Sequence, residues 1–285
     1  MTQWTYYNHA LIPDQAPYLP VETSKIEDGS AFAEEMEGEK ALLARWISDW
    51  DSSRQTHFWY CIKDTPWQVE KASKKTRYEV RKALKNFRVQ LINPTDFLTQ
   101  LYQVQQLAFS AYPKKYRPQE TFTAFCHKAS NWQVPHIWVY GAFALQGNQL
   151  IGYAVLNDYQ HWVNFTALKV IPAYEREGVN AGIINKVLET LNPRIIPPFF
   201  ISDGQRSLLH QTHFQDYLEK YFGFRKAYCK LHIKYRPGVD KVIKMLYPFR
   251  RIFAYFDGVS KIHQLNAVLK MEEICRTDAR IEGNP

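Results

Sequence analysis

The run from Gln149 to Leu191 leaves the chain the fewest options. Gln149-Leu-Ile-Gly-Tyr-Ala-Val-Leu156 is apolar and β-prone, a polar turn follows, and Trp162 to Ile171 is β-prone again. Pro172-Ala-Tyr-Glu-Arg-Glu-Gly178-Val-Asn180 breaks that pattern, and apolar residues at helical spacing then run to Leu191. The pattern predicts strand, turn, strand, glycine-bearing turn and helix. A helix entered this way aims unpaired backbone N–H groups and the positive end of its dipole at an anion, often a phosphate. A helix start with a solvated charge cluster is the plainer reading of the same residues.

The flanking sequence extends the pattern. Val89–Ile92 reads as a strand, and Asn93-Pro94-Thr95-Asp96 as a helix start that Thr95 or Asp96 can cap. Helices are predicted over Phe97–Tyr112 and Thr121–Ala129. Between them lie Pro113 and the basic loop Lys114-Lys115-Tyr116-Arg117-Pro118. His136–Leu145 is a strand, and Gln146-Gly147-Asn148 a hairpin turn. Beyond Leu191, Ile196–Ile201 reads as a buried strand entered through prolines. Phe214–Tyr221 is a helix, and Tyr228–Tyr235 alternates as a closing strand behind Gly223-Phe224.

From about Phe87 to Tyr235 this order resembles the GNAT (N-acetyltransferase) superfamily. There a loop of the form Gln/Arg-x-x-Gly-x-Gly/Ala opens a helix over the pyrophosphate of acyl-coenzyme A. Here the loop is Glu175-Arg176-Glu177-Gly178-Val179-Asn180, which keeps the middle glycine, begins acidic and ends on Asn180. The resemblance implies acyl-CoA (acetyl-CoA) as co-substrate. Arg176, Gly178, Val179, Asn180 and Ala181 would meet the pyrophosphate. The backbone of Leu168, Lys169 and Val170 would face the thioester, where the strand at 196–201 splays from the strand at 162–170.

A second resemblance lies upstream. Ser73 to Val89 places Val80, Ala83, Leu84 and Phe87 on one helical face, and the other face is densely basic. The bland reading is a solvated amphipathic helix. The pattern Arg77, Arg81-Lys82-Ala83, Lys85, followed by a strand, resembles the FemAB-type acyltransferases, which are built from GNAT-like units. It implies a second donor, an aminoacyl-tRNA, with Arg77, Arg81, Lys82, Lys85 and Arg88 gripping the RNA backbone.

The implied fold class is α+β. It has a GNAT-like central mixed, mostly antiparallel sheet flanked by helices, and an N-terminal partial unit, with a second GNAT-like unit as the alternative. The expected domains are 1–86, an N-terminal α/β unit with the basic helix; 87–235, the acyltransferase domain; and 236–285, a helical tail packed on the core. Before residue 58 the chain reads as proline-bearing turns and an acidic segment, 34–39. Ala41–Ile47 has helical spacing, and Phe58–Ile62 is a short strand. In the tail, Ile243, Leu246, Tyr247, Phe249, Ile252, Phe253 and Phe256 stand near Arg250-Arg251. They suggest docking on the core or a partner, with a membrane-surface role open.

Acyl transfer to an amine needs a base for the amine proton, N–H donors for the oxyanion, and an acid for the leaving group. Candidates for the base are Asp203, His210 and His213. Tyr217 and Tyr221 can serve the leaving group. Asp203-Gly204 also reads as an ordinary turn, and tyrosines at helical spacing as core. His210-Gln-Thr-His213 has chelating spacing, but only Asp203 is near as a further ligand, so no metal is expected. Walker, dinucleotide-binding and nucleophile-elbow motifs are missing, which disfavours nucleotide hydrolysis, dinucleotide binding and α/β-hydrolase chemistry.

A formal charge of +8 suits a phosphate-bearing ligand, a nucleic acid or an anionic surface without choosing among them. Cys61, Cys126, Cys229 and Cys275 are scattered, as free thiols in a reducing compartment would be. With no signal-like start and no transmembrane segment in the sequence, a cytoplasmic location is expected. Asn164-Phe-Thr166 is a glycosylation sequon inside a predicted strand and is discounted. The expectation is a cytoplasmic GNAT-like, FemAB-like transferase acting on a small-molecule or peptide amine. A protein of that shape that only binds a partner is the third reading.

Overall fold

The computed structural model describes residues 2–33, 40–112, 117–208 and 213–283. It divides into two compact units. One is built from residues 1–60, 205–212 and 226–285, the other from 61–204 and 213–225. The cuts thus fall away from 86 and 235, because segments distant in sequence complete each unit.

The unit of residues 61–204 and 213–225 carries strands β5 (Phe87–Leu91), β6 (Ile137–Ala144), β7 (Leu150–Asp158), β8 (Trp162–Val170) and β9 (Phe200–Gln205). The strand order is β9-β8-β7-β6-β5. The neighbours β5 to β8 pair antiparallel, while β8 and β9 pair parallel. The β6–β7 turn needs Gly147 and Asn148 at φ of +76° and +49°, which those residue types tolerate. Helices α3 (Leu98–Ser110) and α4 (Phe122–Ser130) form one pair, with α3 against β7 and β8. α5 (Val179–Leu191) lies against β5, β6 and β7 and buries Val179, Ile183, Ile184, Val187, Leu188 and Leu191 completely. α6 (His213–Phe222) completes the unit.

Helix α2 (Lys74–Asn86) is capped by Ser73, whose hydroxyl accepts from the Thr76 N–H. It buries Thr76, Val80 and Ala83, whereas Leu84 stays exposed and Phe87 belongs to β5. The predicted stripe is therefore rotated. The reason is the close approach of α2 to α5, where a Cβ on Gly182 would lie 2.9 Å from the Ala83 Cβ. Small residues on both helices let the backbones meet. The start of α3 is also corrected. Asn93, not Thr95 or Asp96, supplies the side-chain cap, to the Thr95 N–H ahead of a 3-10 turn at Pro94–Phe97.

The other unit contains β1 (Trp4–Tyr7), β2 (Ala10–Pro13), β3 (Leu43–Ser52) and β10 (Arg225–Tyr235, which belongs here from Lys226 on), in the order β1-β2-β3-β10. β4 (Phe58–Lys63) spans the division after Tyr60. Two expectations fail here. The first residues form a hairpin rather than turns, and Leu43–Ile47 is a strand rather than a helix. β3 pairs antiparallel with β10 and parallel with β2, and Trp46 stacks on His232. Cross-strand partners overrode the local helical spacing. The acidic segment 34–39 lies outside the described residues, as do Pro113 and most of the basic loop that follows it, 114–116. Short helix α1 (Ser24–Glu27) and the helical tail complete this unit. The tail comprises α7 (Val239–Leu246), a 3-10 turn at Tyr247–Phe249, α8 (Arg250–Tyr255) and α9 (Ser260–Gly283). Met271 and Ile274 of α9 are buried in one core with Leu43, Phe58 and Leu231.

Candidate active site

Strand β8 runs for nine residues, yet it pairs with β9 over only three. These are Trp162 with Phe200, Val163 with Ile201, and Asn164 with Ser202. Beyond that point β8 continues to Val170 along β7, and β9 continues through Asp203 and Gly204 without a ladder partner on β8. The strands therefore part at Asn164 and Ser202. The backbone groups of Phe165–Val170 on that side have no strand to bond.

Local sequence makes the opening. Thr166 is the extra residue of a β-bulge, since Val155 faces Ala167 and Leu156 faces Phe165. Its hydroxyl donates to the Val155 carbonyl at 2.9 Å. A bulge bends the strand that carries it. Gly204 turns β9 at φ of +78°, and its N–H donates to Ser202 Oγ at 2.7 Å. Asn164 Nδ2 donates to the Phe165 carbonyl at 3.1 Å, and Asn164 Oδ1 lies 3.8 Å from the position of a Gly204 Cβ. From α6, Phe214 meets Phe165 edge to face, and Gln215 Nε2 donates to the Asp203 carbonyl at 3.3 Å.

Asp203 occupies the first position past the last paired residue. β9 begins four residues later than predicted, because Pro197 and Pro198 offer no N–H to a ladder, so Asp203 lies inside the strand. Burial pushes its carboxyl up to about 7, against a smaller opposing effect of a hydrogen bond with Gln215. Such a group exchanges a proton near neutrality, as a general base must.

The other candidates are dispersed. His213 is exposed at the start of α6, and His210 lies outside the described residues. Tyr221 accepts a hydrogen bond from Lys75 Nζ at 3.1 Å, which lowers its phenol pKa. Burial raises that of Tyr217, and the charge of Glu79 adds to the effect. No metal-holding group of three His, Cys, Asp or Glu side chains occurs among the described residues. On β8, Leu168 is half-buried and Val170 is buried. Lys169 lies over the Phe109 ring at 4.3 Å, and burial lowers its pKa.

The loop at Gly178 is built differently from an anion cradle. Gly178 has φ of +87°, as predicted for a glycine-bearing turn, and precedes α5. A Cβ there would lie 2.8 Å from the Glu79 carbonyl oxygen and 3.4 Å from its carboxylate Oε2, both from α2. The Gly178 N–H donates to the Glu175 carbonyl. Val179 and Ala181 are fully buried, and Lys82 Nζ donates to the Arg176 carbonyl. Of the residues expected to meet the pyrophosphate, Arg176 is exposed and Asn180 is half-buried. The segment before α2 is fastened nearby. Trp67 Nε1 donates to Asn185 Oδ1 of α5 at 2.8 Å, and its ring meets Phe222 of α6 at 5.3 Å. Residues 66–86 thus lie across the start of α5 and along α6, with a carboxylate where the pyrophosphate would sit. These residues do not fit the pyrophosphate of coenzyme A.

On α2, Arg77 donates to the Glu70 and Ala72 carbonyls and Lys82 to that of Arg176, so both hold the chain's own backbone. Arg81, whose Nε also donates to a backbone carbonyl, that of Arg77, at 3.2 Å, and Lys85 are exposed, beside exposed Tyr78 and Leu84. The sequence missed Asn164, Thr166 and Gln215. The sequon drew notice to Asn164 and Thr166 for another reason, and nothing local marks Gln215.

No family model and no functionally curated protein matches the chain. Among solved structures it is similar to the L-PGS protein of Bacillus licheniformis. That match has 11% identity over 83% of this chain and 81% of the other, with a TM-score of 0.50. The C-terminal domain of a putative lysylphosphatidylglycerol synthetase from Agrobacterium fabrum matches with 9% identity over 85% and 82%, at 0.48. The PaiA N-acetyltransferase of Thermoplasma acidophilum, solved with coenzyme A, matches 38% of this chain and 73% of its own, with 16% identity and a score of 0.32. The likeness to the Bacillus licheniformis protein bears on fold alone. The chain has a mostly antiparallel mixed sheet flanked by helices, and its structural neighbours include GNAT acetyltransferases.

Proposed function

We propose that the chain is an acyl- or aminoacyltransferase working where β8 and β9 part, with Asp203 as the general base. The observation that carries this reading is the position of Asp203: a half-buried carboxyl with a pKa of about 7, one residue past the point where β8 and β9 cease to pair. The acyl carbonyl would accept hydrogen bonds from β8 N–H groups. The incoming amine would give its proton to Asp203 as the new C–N bond forms. The leaving oxygen or sulfur would depart with a proton, for which Tyr217 and Tyr221 on α6 are the tyrosine candidates.

For the donor we favour an aminoacyl-tRNA, the FemAB-like reading, over acyl-CoA. Two observations support it. α2 covers the loop at Gly178, and Arg81 and Lys85 remain exposed with Tyr78 beside them. Exposed cations next to an exposed aromatic suit a phosphate backbone.

Coenzyme A at millimolar concentration is expected to leave the melting temperature unchanged, as ligands that do not bind the folded state do. Bulk tRNA is expected to bind with strong salt dependence. Arg81→Ala combined with Lys85→Ala should reduce the log–log salt slope by about 2. A rise of several degrees with coenzyme A, together with indifference to tRNA, would reverse the choice of donor.

A further inference from the structure

The tail carries a largely exposed apolar stripe. Val242, Met245, Phe249 and Ile252 recur at i, i+3, i+7 and i+10 along α7, the 3-10 turn and α8. Phe256 and Val259 continue the spacing in the turn that follows. All six are about half exposed or more, from 48% for Val242 to 64% for Met245, and Tyr255 beside them is 89% exposed. Within α7, the spacing of Val242 and Met245 puts them on one helical face.

The segment is not loose, however. Its opposite side is docked. Ile243 is buried, Arg250 and Arg276 stack on the Tyr247 ring, and Arg250 pairs with Glu273 of α9 at 3.3 Å. Asn266 Nδ2 donates to the Phe253 carbonyl at 3.1 Å. The segment is thus tied to α9 on one side and exposes apolar side chains on the other. Isolated exposed apolar residues are ordinary, but six within the stretch 242–259 are not.

Charge selects the partner. Residues 236–261 contain six Lys or Arg and two Asp. Both aspartates are engaged within the protein, Asp240 with Lys244, and Asp257 with His263 and Asn266. Lys241 and Arg251 are exposed without a carboxylate partner among the described residues, and Lys244 is 69% exposed despite its ion pair. Aromatic and aliphatic side chains beside lysine and arginine suit the boundary of an anionic bilayer, where rings enter the headgroup layer and cations meet phosphates. The stripe is also far too short to cross a membrane, and no described helix is long and apolar enough to do so.

We propose that α7 and α8 form a peripheral membrane-binding edge that seats the protein on an anionic lipid surface. The test is sedimentation of the full chain with vesicles of phosphatidylcholine alone and of equal phosphatidylcholine and phosphatidylserine. Binding is expected only to the anionic vesicles. Phe249→Ser with Ile252→Ser should abolish it. Lys241→Gln, Lys244→Gln and Arg251→Gln together should weaken it on the order of a hundredfold at low salt, since each cation near the surface contributes about fivefold. Because these side chains are exposed, far-UV circular dichroism and the melting temperature should stay as in the wild type. No binding to either vesicle would overturn the proposal. So would equal binding to both, or a dimer in solution that Phe249→Ser with Ile252→Ser dissolves, since the stripe would then cover a second copy of the chain.

Discussion

Asp203→Asn is expected to lower the rate of acyl transfer by about 10²–10⁴-fold, the usual contribution of a positioned base. It should also make the protein more stable above neutral pH. Both effects come from the same burial. A base works only when ionised, so wild-type activity should rise with pH through a midpoint of about 7. The asparagine variant should lack that limb. Stability runs the other way. The folded-state pKa lies above the unfolded value near 4, so the folded chain holds this proton more tightly. The stabilising contribution is full below that unfolded value and is lost as pH rises through about 7. At pH 8 the wild type therefore carries a buried charge that asparagine does not, a difference on the order of 2–4 kcal/mol. At pH 3, below both values, the two should unfold at similar denaturant concentrations. A merely structural aspartate would give the reverse, a variant that is less stable and has an unchanged pH profile.

Gly178→Ala is expected to destabilise the chain by on the order of 3 kcal/mol. A left-handed backbone costs a non-glycine residue about 1–2 kcal/mol. The remainder comes from the Glu79 carbonyl oxygen 2.8 Å from the new Cβ, which is main chain and cannot swing aside without moving α2. Gly147→Ala supplies the control. Its φ is similarly positive, at +76°, but a Cβ there meets nothing within 4 Å. It should lose only the conformational part, about 1 kcal/mol. Chemical denaturation of both variants separates the two costs. Equal losses would mean that α2 does not rest on this loop in solution, and the objection to coenzyme A would fall with it.

Much of the architecture was legible because it is punctuated locally. Gln146-Gly147-Asn148, Pro172 and Gly178 mark the ends of β6, β8 and the turn into α5 by their backbone preferences alone. β3 was not legible in this way. Leu43–Ile47 has helical spacing, and only its pairing with β2 and β10 makes it a strand. The same limit governs the site. The sequence placed Asp203 at the end of a strand, but the burial that raises its pKa depends on residues far away in the chain. It offered Gly178 as an anion cradle because the turn itself looks like one. What closes the cradle is Glu79, ninety-nine residues earlier, and no local pattern reports such a contact. In the tail, the sequence supplied the apolar positions but not which of them would face α9. Ile243 is buried while Val242 and Met245 are exposed, and that phase is set by tertiary packing.

The most direct measurement is a crystal structure with a 3′-aminoacylamino-3′-deoxyadenosine, a stable amide standing in for the ester at the charged end of a tRNA. The account predicts that its carbonyl oxygen accepts from β8 backbone N–H groups beyond Asn164, that its amide carbon lies beside Asp203, and that α2 stays on Gly178. An analogue bound elsewhere while the space between β8 and β9 stays closed would contradict it.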